Sequence, residues 1–197
     1  MPPLSRKHYI VSLRGTHGSG KSYVVKSILD RYSGKVESKD ERGKALTYQV
    51  KLHNGSSLYV VGNYEHACGG CDSIQPYSRI WPIVERLAKL GHVLFEGALV
   101  SSSYGNIGRA SEVYGNRMVF AFMDTPVDVC LQRVTDRRKA RGDARPLNPK
   151  NTVQKHDGVW RLSLPKIRDV YCRRVVVIDY RQALVQVLTL FDERIEP

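Results

Sequence analysis

Gly15-Thr16-His17-Gly18-Ser19-Gly20-Lys21-Ser22 decides how this chain is read. The octet satisfies G-x-x-x-x-G-K-[ST], and its flanks supply the context that pattern needs. Tyr9-Ile-Val-Ser-Leu13 is a short apolar run leading straight into the first glycine. Beyond Lys21, apolar residues at Val24, Val25, Ile28 and Leu29 mark one face of a helix over 21–31. A strand, a glycine turn and a helix start present successive backbone N–H groups and a positive helix end to an anion. The motif therefore predicts a cradle for ATP, built from Gly15 to Gly20 together with Lys21 and Ser22. Lys21 is expected to reach the β- and γ-phosphates and Ser22 to hold magnesium. The motif does not say where a phosphoryl group would go.

Outward from this unit, short apolar strands alternate with helices. His92-Val-Leu-Phe95, Met118 to Met123 and Arg174 to Asp179 read as strands. Arg79 to Leu90 has helical spacing at Ile80, Ile83, Val84, Leu87 and Leu90, with Pro82 in its first turn and Gly91 as its stop. Val127 to Arg138, about 151–171, and Gln182 to Phe191 read as further helices. Thr47 to Leu52 and Ser57 to Gly62 flank Asn54-Gly55, a hairpin signal. Residues 33–46 read as an exposed loop, and 98–116 as a Ser-, Gly- and Tyr-rich functional loop with one helical turn. Buried strands alternating with helices predict an α/β fold. We expect a doubly wound, mostly parallel five-stranded sheet (9–13, 57–62, 92–95, 118–123, 174–178), with helices on both faces and 47–52 as an extra edge strand. The expected organisation is one domain, 1–197, with a hairpin and substrate insert at about 47–76 and a basic lid at about 137–150.

Composition narrows the partners. Of 197 residues, 42% are hydrophobic and 25% charged, which excludes wholesale disorder. Apolar runs stay short of the roughly 18 residues of a membrane span, and no signal peptide is read, so a cytoplasmic protein without membrane contact is expected. Lys and Arg total 31 against 19 Asp and Glu, a net charge of +12. Such a surface predicts a polyanionic partner, and the arginines clustered late in the chain favour phosphate recognition. The four cysteines are expected to be reduced, with Cys130 and Cys172 in the core. The composition sets no oligomeric state.

Several side chains stand where chemistry would need them. Glu96 and Asp124 each end a buried strand, and ligands lie at the carboxyl ends of strands in such sheets. Glu96, followed by Gly97, is the preferred magnesium ligand, directly or through water; Asp124 before Thr-Pro can instead cap the next helix. Arg133, Arg137, Arg138, Arg141 and Arg145 have the character of a mobile lid, with Arg137 and Arg141 the expected triphosphate contacts. His66-Ala-Cys68-Gly69-Gly70-Cys71-Asp72 contains a lone C-x-x-C without the second pair of a structural zinc site. Here Gly69 and Gly70 let backbone pass close to a substrate, and Asp72 is presented beside them as a base for an attacking hydroxyl, with Glu65 its competitor. Tyr104, Tyr114, Tyr77 and Trp81 are packing or stacking residues, and Tyr104 and Arg109 are substrate-side candidates.

Five segments together carry a resemblance. Gly15 to Ser22, Gly62-Asn-Tyr-Glu-x-x-Cys-Gly-Gly-Cys-Asp72, Gly91-His-Val-Leu-Phe-Glu-Gly97, Phe122-Met-Asp-Thr-Pro126 and Asn148-Pro-Lys-Asn-Thr152 resemble the bacteriophage 5-hydroxymethyluridine DNA kinases, P-loop kinases related to polynucleotide and nucleotide kinases. The resemblance implies that ATP phosphorylates the hydroxymethyl group of 5-hydroxymethyluracil in duplex DNA, a step toward base hypermodification in the host cytoplasm. It fits the basic surface, and it implies a flipped-out nucleotide. Lys21, Asp72, Glu96, Arg137 and Arg141 would then be catalytic, with Asn151 and Lys155 on DNA phosphate or the lid. A nucleoside or nucleotide kinase, a polynucleotide 5′-hydroxyl kinase and an NTP-dependent DNA-binding switch remain the competing readings.

Overall fold

The computed structural model describes residues 8–65, 69–98, 100–143, 147–171 and 174–193. Seven strands form one sheet: β1 (Ile10–Arg14), β2 (Val36–Lys39), β3 (Ala45–Lys51), β4 (Ser57–Val61), β5 (His92–Glu96), β6 (Met118–Asp124) and β7 (Val175–Asp179). Their order is β2-β3-β4-β5-β1-β6-β7. The five strands from β4 to β7 run parallel, and β2 and β3 extend the edge antiparallel. Strands β1 and β5 are buried at every residue and β6 at all but its last, as central strands covered on both faces must be.

The helices are α1 (Lys21–Arg31), α2 (Ile80–Ala88), α3 (Tyr104–Tyr114), α4 (Val127–Ala140), α5 (Pro149–Asp157), α6 (Leu164–Lys166) and α7 (Ala183–Thr189). Wide π-type turns at Gly158–Ser163 and Ile167–Tyr171 carry the chain on either side of α6. The apolar stripe of α1 packs with Val187, Leu188 and Phe191 of the C-terminal segment on one face of the sheet. Helices α2 and α3 close the other face through Ile80, Trp81, Val84, Leu87 and Ile107. No helix among the described residues is long and apolar enough to cross a membrane.

Two expectations are corrected. The sheet has seven strands, not five, and the segment at 47–52 is not its edge: β3 pairs on both sides, and β2 from the expected loop at 33–46 is the edge. Strand β2 is Val-Glu-Ser-Lys with no buried residue, so it carried no hydrophobic period to read. The segment at 98–116 contains an eleven-residue helix, α3, rather than one turn. Its glycines lower helix propensity, and packing of Ile107 and Ala110 against the core overrides them.

A buried carboxylate ties the C-terminal segment to the hairpin. Glu193 is 1% exposed and accepts from Tyr32 Oη at 3.0 Å, His53 N at 2.7 Å and Asn54 N at 3.0 Å. Burial and the Glu193 charge push the Tyr32 phenol up to about 12. At the start of β5, beside Phe191, His92 Nδ1 accepts from Tyr9 N at 3.0 Å. Burial, then His8, lower the His92 pKa to about 4, against a small opposing pull from Asp192.

Two stability predictions follow from these anchors. Glu193→Ala leaves two backbone donors and a phenol without their acceptor and should cost about 3 kcal/mol, roughly 10 °C in Tm by calorimetry. His92 is neutral when folded, so the unfolded chain takes up its proton first. Stability is full above pH 6.5 and lost as pH falls toward about 4. Urea midpoints across that window should fall less steeply for His92→Gln than for the wild type.

Candidate active site

The glycine turn between β1 and α1 is held from the α4 side. Thr125 Oγ1 donates to Ser19 O at 2.8 Å, and Arg133 Nη1 reaches Ser19 O at 3.2 Å and Gly18 O at 3.4 Å. Gly18 has φ +79°, and a Cβ there would run into the Cys130 carbonyl. The turn needs glycine at this point both for its conformation and for the close approach of α4. Lys21 lies folded onto the turn, Nζ donating to Gly15 O at 2.8 Å and Thr16 O at 3.0 Å. Burial lowers its pKa, opposed by Glu96 and Asp72.

Parallel register brings the acid to the turn. Leu13 of β1 is paired with Glu96 of β5, so the carboxylate ends its strand level with the start of the glycine turn. Ser22 Oγ donates to Glu96 Oε1 at 2.7 Å. Glu96 is 3% exposed; burial pushes its pKa up, while Lys21 and the Ser22 hydroxyl hold it down.

A third element closes over this pair. Gly70 N donates to Asn63 O at 2.7 Å, which pins the segment before Cys71 to the end of β4. Gly70 has φ +98°, and a Cβ would collide with the Glu96 carboxylate. Two residues on, Asp72 Oδ2 accepts from Ala98 N at 2.9 Å. The charge of Asp72 acts on Glu96, Lys21 and His17, which places it on the turn side of the sheet.

The basic helices supply the remaining wall. Lys155 Nζ of α5 lies 3.1 Å from His17 Nε2, so the imidazole accepts from the ammonium. Burial, then the charges of Lys155, Lys21 and Arg137, hold the His17 pKa down. Lys21, Ser22, Glu96, Gly70, Asp72, His17, Arg137 and Lys155 thus converge on one edge of the sheet.

Other sequence-predicted residues lie apart from this cluster. Arg141 caps the C-terminus of α4 and is exposed, as is Asn151 in the first turn of α5. Glu65 is exposed and accepts from Asn63 Nδ2 at 2.9 Å, and Gly69 lies against the Asn63 carbonyl. Tyr104 stacks on Tyr171 at 5.9 Å under the Lys166 ammonium. Arg109 is paired with Glu85 at 2.6 Å, joining α3 to α2. Asp124 is exposed at the end of β6, and Trp81 is core, edge-on to Phe95. Cys71 is a buried thiol donating to Val61 O at 3.4 Å. His66, Cys68, Arg145 and Cys172 lie outside the described residues.

Sequence reasoning missed Arg133 and Tyr180 as a pair. The Arg133 guanidinium sits 5.5 Å from the Tyr180 ring centroid while bonded to the glycine turn. Tyr180 follows β7 directly, so the rule that ligands gather at strand carboxyl ends offered the signal.

A strand–glycine turn–helix unit with its lysine, a Ser–carboxylate pair on the adjoining strand and a basic helix across the opening defines a P-loop phosphotransferase. The chain is 36% identical over 152 residues to a 5-hmdU DNA kinase of Pseudomonas phage PaMx11, spanning 76% of this chain and 80% of that one. A 5-hmdU DNA kinase of Pseudomonas phage M6 is 26% identical over 163 residues, covering 77% of this chain and 82% of its own. A gluconokinase from Sinorhizobium meliloti 1021 superposes with a TM-score of 0.47 at 18% identity, over 93% of this chain and 89% of that one. No family model matches the chain. The chain belongs to the family of the phage 5-hmdU DNA kinases.

The contact between Gly70 and Glu96 has a measurable consequence. Gly70→Ala forces both a positive φ and a collision on the buried carboxylate, and should cost about 1–3 kcal/mol in urea unfolding. Gly105→Ala in α3, whose Cβ would meet nothing within 4 Å, should leave stability unchanged or raised.

Proposed function

We propose that this chain transfers the γ-phosphoryl group of ATP to the hydroxymethyl oxygen of 5-hydroxymethyluracil in duplex DNA, in the host cytoplasm. The observation that carries the reading is the second carboxylate. Glu96 is engaged with Ser22, whereas Asp72 is held by a backbone N–H on the next turn, a placement that suits an acceptor hydroxyl. An NTP-dependent switch has no use for such a group. The acceptor is inferred from the family, whose compared members are named 5-hmdU DNA kinases.

In this reading the amides of residues 15–20 and Lys21 bind the triphosphate, with Lys21 exchanging the Gly15 and Thr16 carbonyls for phosphate oxygens. Arg133 and Tyr180 flank the place for the nucleobase. The Ser22 hydroxyl and the Glu96 carboxylate are two hard oxygens at hydrogen-bond distance, a donor set that fits magnesium. When bound, the ion offsets charge on the β- and γ-phosphate oxygens.

Asp72 orients the acceptor hydroxyl and takes its proton as the oxygen bonds to the γ-phosphorus. The bond from that phosphorus to the β–γ bridging oxygen breaks, and ADP leaves with the electron pair. Arg137 and Lys155 stabilise the transferring group, and Arg141 joins them when the segment at 137–150 closes as a lid. The segment at 47–76, with Glu65, Gly69 and Gly70, faces the acceptor. Tyr104, Arg109 and Asn151 lie on the DNA side, where the positive surface meets the backbone.

Transfer of γ-labelled phosphate decides among acceptors. Duplex DNA with 5-hydroxymethyluracil and blocked ends should be labelled. A matched thymine duplex, a 5′-hydroxyl oligonucleotide and free 5-hydroxymethyl-deoxyuridine should not. Asp72→Asn should lower kcat by about 10²–10⁴-fold with ATP affinity little changed. Label chiefly on the oligonucleotide end or the free nucleoside would overturn the acceptor assignment.

A further inference from the structure

Arg14 ends β1 and is 2% exposed, and among the described residues no other arginine is buried. It takes no part in the transfer step. Burying a guanidinium is costly unless its donors are satisfied, so the groups it bonds show what it is for.

Strand alternation turns Ile10, Ser12 and Arg14 to one face of the sheet and Val11 and Leu13 to the other. Ile10 belongs to the layer of α2 and α3, and Val11 and Leu13 to the layer of α1. The Arg14 guanidinium therefore lies on the face away from α1, 4.8 Å from the Phe120 ring centroid and 5.9 Å from that of Phe122. Both rings attract it through their negative faces. A methionine would fill this space without the cost of a charge. What arginine adds is reach and donors: Nε donates to Ser12 Oγ at 3.3 Å, and Nη1 to Ser101 O at 2.8 Å. A planar fork held at several points has little freedom to turn, so the Ser101 carbonyl is fixed relative to β1.

From Ser101 the hold passes to the carboxyl edge of the sheet. Ser101 N and Oγ both donate to Gly97 O, at 3.2 and 2.6 Å. Gly97 O and Ala98 N belong to one peptide unit, and that N–H donates to Asp72 Oδ2 at 2.9 Å. Donors on the carbonyl end polarise the N–H end, which strengthens its bond to the carboxylate. The other carboxylate oxygen rests against Gly97, where a Cβ would stand 2.9 Å from Asp72 Oδ1. One peptide thus sets both the position and the rotation of the Asp72 carboxylate. Val100 and Cys71 are buried in the same apolar cluster, so the two segments share a floor.

We propose that Arg14 is a positioning residue for phosphoryl transfer, acting from the core through Ser101 and the Gly97–Ala98 peptide to aim the Asp72 carboxylate at the acceptor hydroxyl. This rests on the reading of Asp72 as the group that orients that hydroxyl, and adds the residues that orient Asp72 itself. Displacing a reacting group by about 1 Å costs on the order of 10²-fold in rate, so a small relaxation of this peptide has a large effect on kcat.

Arg14→Met, Ser101→Ala and Asp72→Asn, singly and in pairs, are compared by kcat for label transfer, by ATP affinity and by Tm. Arg14→Met should lower kcat by about ten- to a hundred-fold. Ser101→Ala keeps the carbonyl that Arg14 holds and loses only the Oγ bond to Gly97, and should lower kcat by about three- to ten-fold. In the Asp72→Asn background either substitution should cost less than about two-fold more, since the group it orients is already lost, and ATP affinity should stay within about two-fold throughout. An unchanged kcat, a loss of the same factor in both backgrounds, or a parallel loss of ATP affinity overturns the inference and leaves Asp72 in its role. Should Arg14→Met not fold, Ser101→Ala in the two backgrounds decides alone. If wild type labels no acceptor, or Asp72→Asn transfers phosphate at the wild-type rate, the functional reading fails and the inference with it.

Discussion

The Ser22 hydroxyl donates to the buried Glu96 carboxylate at 2.7 Å, and the carboxyl edge of the sheet is organised around that contact. It joins the first turn of α1 to the end of β5. The parallel register of β1 on β5 makes the meeting unavoidable once the strands pair. A buried carboxylate is costly without partners, and burial alone drives Glu96 toward its neutral form. Lys21 and Ser22 oppose that drive. The glycine at position 70 is then forced, because backbone must pass where a side chain would strike the acid. From this one pair follow the position of Gly70 and the start of the turn that carries Asp72.

The opposite wall is a balance of positive charges. His17, Lys21, Arg137 and Lys155 crowd one opening, and burial with that crowding keeps the imidazole neutral. Lys21 is meanwhile bonded to carbonyls of its own turn. Glu96 and Asp72 offset part of this positive charge. A triphosphate would replace the self-contacts of Lys21 with charge-assisted bonds.

What the sequence made legible has a physical pattern. Strands β1, β5 and β6 announced themselves because burial on both faces demands unbroken apolar runs. The glycine turn and the place of Glu96 at the end of β5 were readable because motif and strand end fix a position locally. Strand β2 was invisible: it buries no residue and exists through its pairing with β3. Helix α3 was hidden by glycines that tertiary packing overrules. The pairing of Arg109 with Glu85, which joins α3 to α2, had no local signal either, because the two lie 24 residues apart. Glu193 gave no local signal, because its three partners lie 139 to 161 residues away.

The hairpin itself needs a reason beyond sheet area. Strand β2 has no buried residue, its one apolar side chain, Val36, being exposed, and it contributes little to the core. The sheet would keep its five parallel strands without it. Its attachment is nevertheless well secured, since Glu193 grips His53 and Asn54 at the β3–β4 turn. The apolar contribution comes from β3, whose Ala45, Tyr48 and Val50 join the core with Leu52, while β2 is held by its pairing with β3. Together β2 and β3 place Glu37 and Tyr48 opposite the outer half of α1, and without them the space beside Tyr64 would be open solvent. The hairpin therefore widens the sheet and gives α1 a second wall beside Lys26, Leu29 and Asp30.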